Sequence, residues 1–142
     1  MELRTSAGSL ASKVLRLVQG GQRIAVDRAD AIFNEYFGAL STSTRADFAS
    51  KLVLRLFHLR YSDDVCHRVD ITPIDDPPGS FAEVPAQLQG FDRDDQKFIA
   101  VAAAEGGTPP LFAGVDSEWW LRRVDFAAVN IDVQFPCVAD LI

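Results

Sequence analysis

The alternation of short apolar runs with segments of helical periodicity constrains the fold of this chain more than any other feature. Residues 23–27, 111–115 and 131–135 are short apolar or alternating runs, which predict three strands. Apolar residues at helical spacing predict helices at about 10–18, 31–40, 45–59, 94–104 and 117–128. Strands that alternate with helices favour a mostly parallel sheet with helices on both faces. We therefore predict one α/β domain over residues 1–142.

One long segment interrupts this alternation. A brief strand is predicted at 69–71, and residues 72–90 follow it with four prolines and two glycines. This composition predicts a loop, and its length is typical of a functional or a mobile segment.

The negative charge of the chain is concentrated in its second half. Residues 1–71 contain 10 Lys and Arg against 8 Asp and Glu, whereas residues 72–142 contain 4 against 12. The net charge of −6 argues against a general electrostatic attraction to nucleic acid. Any function on a polyanion would therefore need a specific site.

Cysteine content and hydropathy indicate the cytoplasm. Cys66 and Cys137 are the only cysteines, and they form neither a disulfide framework nor a zinc motif. The first residues are polar and lack the apolar stretch of a secretory signal, and no apolar run reaches the length of a membrane span. We therefore expect a cytoplasmic protein without a membrane partner.

Three acidic residues are candidates for one site. Asp116 directly follows the predicted strand 111–115, Asp95 lies at the start of a predicted helix, and Glu35 interrupts an otherwise apolar helical segment. Ligands of open α/β sheets bind at the carboxyl ends of the strands. Carboxylates gathered there repel one another, and Mg²⁺ or Mn²⁺ would relieve the repulsion and activate a water for attack on a phosphodiester.

Structural roles for acidic residues in the same segments remain an open alternative. Asp30 is a predicted N-cap of the helix 31–40, and Asp94 or Asp95 is a predicted N-cap of the helix that ends near Ala104. The remaining acids would then be solvated surface residues. Of the adjacent Trp119 and Trp120, one is expected in the core and one partly exposed, because neighbours on a helix face different directions.

Four segments resemble the PIN-domain family of ribonucleases. Residues 21–27 followed by Ile32-Phe33-Asn34-Glu35-Tyr36 are similar to the second strand and second helix of that family. Residues 95–102 resemble its helix beginning with Asp, and residues 115–119 resemble its strand end with Asp-Ser-Asp-Trp. Residues 131–133, followed by Phe, Pro and Cys, resemble its closing strand. The resemblance covers about residues 10–140, in the same order along the chain.

The resemblance implies a three-layer α/β/α fold and a metal-dependent endoribonuclease, in many members the toxin of a toxin–antitoxin pair. It implies that Glu35, Asp95 and Asp116 are catalytic and bind Mg²⁺ or Mn²⁺, with Glu118 as a fourth, outer acid where the family more often has Asp. Lys97 and Arg45 are candidates for contacts with the phosphates of the substrate. The implied partners are RNA and an antitoxin protein.

The N-terminus departs from this family pattern. PIN domains open with a central hydrophobic strand that ends in a metal-binding Asp, but residues 1–9 contain no such run, and Glu2 is the only acid before Asp27. Three explanations remain open: a start codon assigned too late, a degenerate and inactive relative, or residues 1–5 as a substitute strand with weaker metal binding. A sheet without its central strand also predicts instability or self-association, for example as a homodimer.

Two functions from different classes follow, and a third interpretation stays open beside them. The first is the metal-dependent ribonuclease, and the second is an inactive PIN-like module that binds RNA or protein. The third is an unrelated α/β domain whose acidic residues are all on the surface.

Overall fold

The computed structural model of the chain describes residues 12–40, 48–106, 111–112 and 117–134. Residues 12–19 are helical and are called α1. The other helices are α2 Ala31–Leu40, α3 Phe48–His58, α4 Gln96–Ala104, α5 Ser117–Leu121 and α6 Arg123–Ala128. The strands are β1 Ile24–Asp27, β2 Cys66–Val69, β3 Pro73–Ile74, β4 Ser80–Phe81, β5 Leu111–Phe112 and β6 Val133–Gln134. Two 3₁₀ turns lie at Ala86–Leu88 and Arg93–Asp95.

The strands confirm a mixed α/β fold with parallel pairing. β1 is parallel to β2, with Ile24 opposite Cys66, and β5 is parallel to β6, with Leu111 opposite Val133. β3 and β4 form a short antiparallel hairpin. Within the described residues the two parallel pairs belong to separate two-stranded sheets. The substitute strand considered at residues 1–5 lies outside the described part of the chain.

Helix α4 lies between two hydrophobic clusters. One of its faces brings Val101 into the cluster formed with β1, α2, α3 and β2. Another face brings Ile99 and Ala100 into a cluster with the aromatic side chains Phe91, Trp119 and Phe126. Because α4 is packed on two sides, its first turn has a fixed position between α2 and α5.

Segment 72–90 is more ordered than its composition predicts. It contains the β3–β4 hairpin and a 3₁₀ turn, and it buries Phe81, Val84 and Leu88 in the core. The carboxylate of Glu83 accepts hydrogen bonds from the backbone N–H and the hydroxyl of Thr72, at 2.9 and 2.8 Å. Burial of these apolar residues fixes the segment against the core. The number of prolines and glycines in the segment does not predict this burial.

Two predictions, a strand boundary and a helix cap, differ from the structure. The strand predicted at 69–71 lies at Cys66–Val69, because parallel pairing with β1 selects that register. The N-cap predicted at Asp30 is wrong: Asp27 accepts hydrogen bonds from the N–H groups of Ala31 and Ile32, at 2.7 and 2.9 Å. The described part of α3 begins at Phe48, and residues 41–47 lie outside the described ranges.

No helix in the described part of the chain combines the length and the apolar composition that crossing a bilayer requires.

Candidate functional site

The centre of the candidate site is an ion pair between Glu35 and Lys97. Oε2 of Glu35 accepts a hydrogen bond from Nζ of Lys97 at 2.9 Å, and the same Nζ donates to the carbonyl of Asp94 at 2.8 Å. The Lys97 side chain is 14% exposed, and that of Glu35 is 40% exposed. The pair therefore joins the middle of α2 to the first turn of α4 at the boundary with solvent.

The apolar side of α2 places Glu35 at this boundary. Ile32 and Phe33 are buried against β1 and α3, and Glu35 lies one turn after Ile32, at the edge of this buried face. The ring of the next residue, Tyr36, lies 5.7 Å from the ring of Phe98 on α4. Although 41% of Tyr36 is exposed, desolvation raises the pKa of its hydroxyl to about 12. Tyr36 therefore stays protonated at neutral pH.

A buried glutamine fixes the start of α4. Gln96 is 1% exposed, and its amide donates to the carbonyl oxygens of Gln89 and Phe91, at 2.8 and 3.0 Å. These bonds hold the preceding turn against the helix. Asp95 and Lys97 lie on either side of Gln96 in the sequence, so both start from a rigid backbone.

Asp95 is directed toward α5. Its Oδ2 accepts a hydrogen bond from Nε1 of Trp119 at 3.4 Å. Trp119 is buried, and its ring is stacked on that of Phe126 at 5.0 Å and meets the edge of Phe91 at 4.8 Å. The predicted core position of one tryptophan is thus confirmed, since Trp119 is 5% exposed and Trp120 is partly exposed.

The predicted site residues are only partly within the described ranges. Glu35, Asp95 and Lys97 surround the start of α4, and Glu118 lies in the first turn of α5, directly before Trp119. Asp116 and Arg45 lie outside the described residues. Lys97, which the sequence suggested as a contact for phosphate, instead contacts a predicted metal ligand.

The described residues do not by themselves form a metal site. In the described ranges no group of three His, Cys, Asp or Glu residues is close enough to hold a metal ion. Glu35 and Asp95 supply carboxylate oxygens, the donors that Mg²⁺ and Mn²⁺ prefer. In this structure the ammonium group of Lys97 lies against Oε2 of Glu35 and the carbonyl oxygen of Asp94. The third predicted ligand, Asp116, lies outside the described residues.

Two contacts that position the candidate site residues were not predicted from the sequence. The Glu35–Lys97 pair joins residues 62 apart, and the Trp119–Asp95 bond joins residues 24 apart. A sequence pattern gives no distance between helices, so neither contact has a local signal. Asp27 had no such signal either, because it lies four residues before the start of α2, whereas Asp30 lies directly before the helix.

The chain matches no protein-family model, no curated protein and no solved structure in the comparisons made with each.

Proposed function

We propose that this chain is a PIN-like endoribonuclease that depends on a divalent metal and hydrolyses RNA phosphodiesters. The observation that supports the proposal is that Glu35 on α2 and Asp95 both lie beside the start of α4, as their contacts with Lys97 and Trp119 indicate. The proposal includes the three-layer PIN-like arrangement, in which the two parallel strand pairs are parts of one sheet.

In this proposal each acidic residue has a defined role. Glu35, Asp95 and Asp116 bind Mg²⁺ or Mn²⁺, and Glu118 acts as an outer acid near the same site. The bound ion supplies an activated water and stabilises charge on the phosphodiester. Arg45 and Lys97 contact phosphates of the RNA, which offsets the repulsion between the acidic protein and a polyanion.

The aromatic cluster supports Asp95 in this role. Its carboxylate makes no capping bond to the helix that follows, and the indole N–H of Trp119 donates to it instead. Phe91 and Phe126 hold the indole from two sides. A carboxylate oriented by a rigid donor is suited to ligate an ion with little loss of conformational entropy.

The biological setting that we propose is a cytoplasmic toxin of a toxin–antitoxin pair, with RNA as substrate and an antitoxin protein as partner. A homodimer belongs to the same proposal. The toxin role is tested by expressing the chain alone and together with small proteins encoded by neighbouring genes. Expression alone should arrest growth, and co-expression with the antitoxin should relieve the arrest.

The direct test combines metal binding with cleavage. Mn²⁺ titration by calorimetry should show binding to the wild type and loss of binding in Asp116→Asn, with Mn²⁺-dependent cleavage of a mixed RNA substrate lost in the same variant. Asp75→Asn is the matched control, because Asp75 is an exposed acid in the segment 72–90. Equal Mn²⁺ affinity in Asp116→Asn and the wild type would contradict the assignment.

A second candidate function is an inactive PIN-like module that binds RNA or protein. The Glu35–Lys97 pair favours it, because a carboxylate that is already neutralised by a lysine has less need of a metal. This module would bind its partner equally well in EDTA and in Mn²⁺, and it would cleave nothing. Equal RNA affinity in wild type and Glu35→Gln without metal would favour the module over the enzyme.

A further inference from the structure

Lys97 occupies an electrostatically unusual position for a lysine. It lies in the first turn of α4, where the partial positive charge of the helix dipole disfavours a cation. Its ammonium group is nevertheless held at 2.9 Å from Oε2 of Glu35 and 2.8 Å from the carbonyl of Asp94. The negative potential of the site therefore outweighs the helix dipole at this point.

The contact of Lys97 with Glu35 conflicts with a metal at the same oxygen. Oε2 of Glu35 accepts a hydrogen bond from the ammonium group, and a divalent ion bound to that carboxylate would place two positive charges beside Nζ. Repulsion between neighbouring positive charges is strong even at the dielectric constant of a protein surface. The four-carbon side chain of lysine is long and flexible, so Nζ can leave while α4 stays in place.

From this geometry we propose that Lys97 is the resident counter-cation of the acidic site, and that a divalent metal binds by displacing its ammonium group from Glu35. The inference rests on the proposed function and deepens it. Metal affinity is then set by competition between an internal monovalent cation and the external ion. The displaced Nζ becomes available to a phosphate of the substrate only once the metal is bound.

A purely structural ion pair makes a different prediction. If Lys97 serves only to join α2 to α4, its removal lowers stability and leaves metal affinity unchanged or weaker. If it is the counter-cation, its removal leaves Glu35 without its cation and strengthens metal binding. The two roles therefore differ in the sign of the change in affinity, which does not depend on enzymatic activity.

The experiment measures Mn²⁺ affinity by calorimetry, without RNA, in wild type, Lys97→Met, Lys97→Arg and Glu35→Gln. We expect Lys97→Met to bind Mn²⁺ about tenfold more tightly than the wild type, since the ion no longer competes with a cation. Lys97→Arg retains the charge and should stay within about twofold of the wild type, and Glu35→Gln should lose most of the binding. Equal or weaker affinity in Lys97→Met would overturn the inference while leaving the proposed function intact. Absence of binding in every variant would overturn both.

A measurement on the wild type covers the case in which Lys97→Met does not fold. NMR signals of the lysine ammonium groups, assigned through Lys97→Arg, are followed during titration with diamagnetic Mg²⁺. The Lys97 signal should shift and broaden with the same saturation curve as metal binding, as its bond to Glu35 is broken. A Lys97 signal that is unchanged at saturating Mg²⁺ would also overturn the inference.

Discussion

The aspartates at the starts of α2 and α4 have different hydrogen-bond partners. Asp27 is fully buried before α2, and its two oxygens accept hydrogen bonds from the N–H groups of Ala31 and Ile32. Asp95 directly precedes α4 but makes no side-chain capping bond, and its carboxylate is directed to Trp119. The carboxylate of Asp92 caps the preceding turn by accepting from the N–H of Asp94 at 3.0 Å.

This difference separates a structural acid from a candidate ligand. The carboxylate of Asp27 has a structural role, because both of its oxygens accept hydrogen bonds from backbone N–H groups of α2. Before α4, Asp92 caps the 3₁₀ turn Arg93–Asp95, and the carboxylate of Asp95 accepts a hydrogen bond from Trp119 on α5. The role of an acidic residue at the start of a helix therefore depends on which donors form hydrogen bonds with its carboxylate oxygens. Its position in the sequence does not by itself determine this role.

The largest expected effect is on stability at Asp27. Asp27→Ala leaves two N–H groups at the buried start of α2 without their acceptor, so we expect a loss of about 2–4 kcal/mol in the free energy of unfolding. Asp27→Asn keeps one acceptor and should lose less. Urea unfolding monitored by circular dichroism measures both. A loss below about 0.5 kcal/mol in Asp27→Ala would remove the contrast with Asp95.

A smaller effect is expected from Trp119→Phe, which tests whether the indole N–H orients Asp95. The substitution keeps an aromatic ring against Phe91 and Phe126 but removes the donor, so we expect a loss of about 1–2 kcal/mol in stability. Mn²⁺ affinity should fall by about threefold to tenfold, because outer contacts orient metal ligands. Trp120→Phe, at the partly exposed neighbour, is the control. Equal Mn²⁺ affinity in both variants would show that the Trp119 bond is only structural.

Glu83 extends the comparison to an acid whose bonds are all local to one loop. Burial alone would raise the pKa of Glu83, but the hydrogen bonds from Thr72 outweigh it and lower the pKa below its usual value. A lowered pKa in the folded state contributes stability above the unfolded pKa, and this stability is lost as the pH falls through the folded pKa.

The corresponding test is the acid unfolding of Glu83→Gln. At neutral pH we expect it to be less stable than the wild type by about 1 kcal/mol, because a neutral acceptor replaces a charged one. The difference in stability between the two proteins should disappear as the pH falls below about 4. Thermal unfolding of both proteins across this range provides the measurement, and a gap that is constant with pH would assign the effect to packing rather than to ionisation.

The parts of the fold that sequence could predict are those that depend on neighbours along the chain. Strand β1, helix α2 and the end of α4 follow from local periodicity and from helix stops, and the parallel pairing follows from strands alternating with helices. The role of segment 72–90 was not predictable in this way, since burial of Phe81 and Leu88 depends on α4 and α6 folding beside them.

The candidate site shows the same division. Glu35 and Asp95 were selected from sequence because each is an acid at a notable point in the pattern, and both lie beside the start of α4. The position of the Lys97 ammonium group was not predictable, because the length of a lysine side chain allows it to reach solvent, phosphate or carboxylate. Only the packing of α2 against α4 decides among these.

The smallest expected effect on stability, and the sharpest contrast with Asp27, is that of Asp95→Asn. The asparagine keeps an oxygen acceptor for the indole of Trp119, and this bond, at 3.4 Å, is longer than the bonds from Thr72 to Glu83. We therefore expect a smaller loss than in Glu83→Gln, below about 1 kcal/mol in the free energy of unfolding. Mn²⁺ affinity should nevertheless fall by at least about tenfold, because a charged ligand is replaced by a neutral one. Asp92→Asn is the matched control, since it alters a neighbouring carboxylate that serves as a cap. If Asp95→Asn destabilises the protein as much as Asp27→Ala does, or if Asp92→Asn reduces Mn²⁺ affinity equally, then the start of α4 contains a structural aspartate like that of α2.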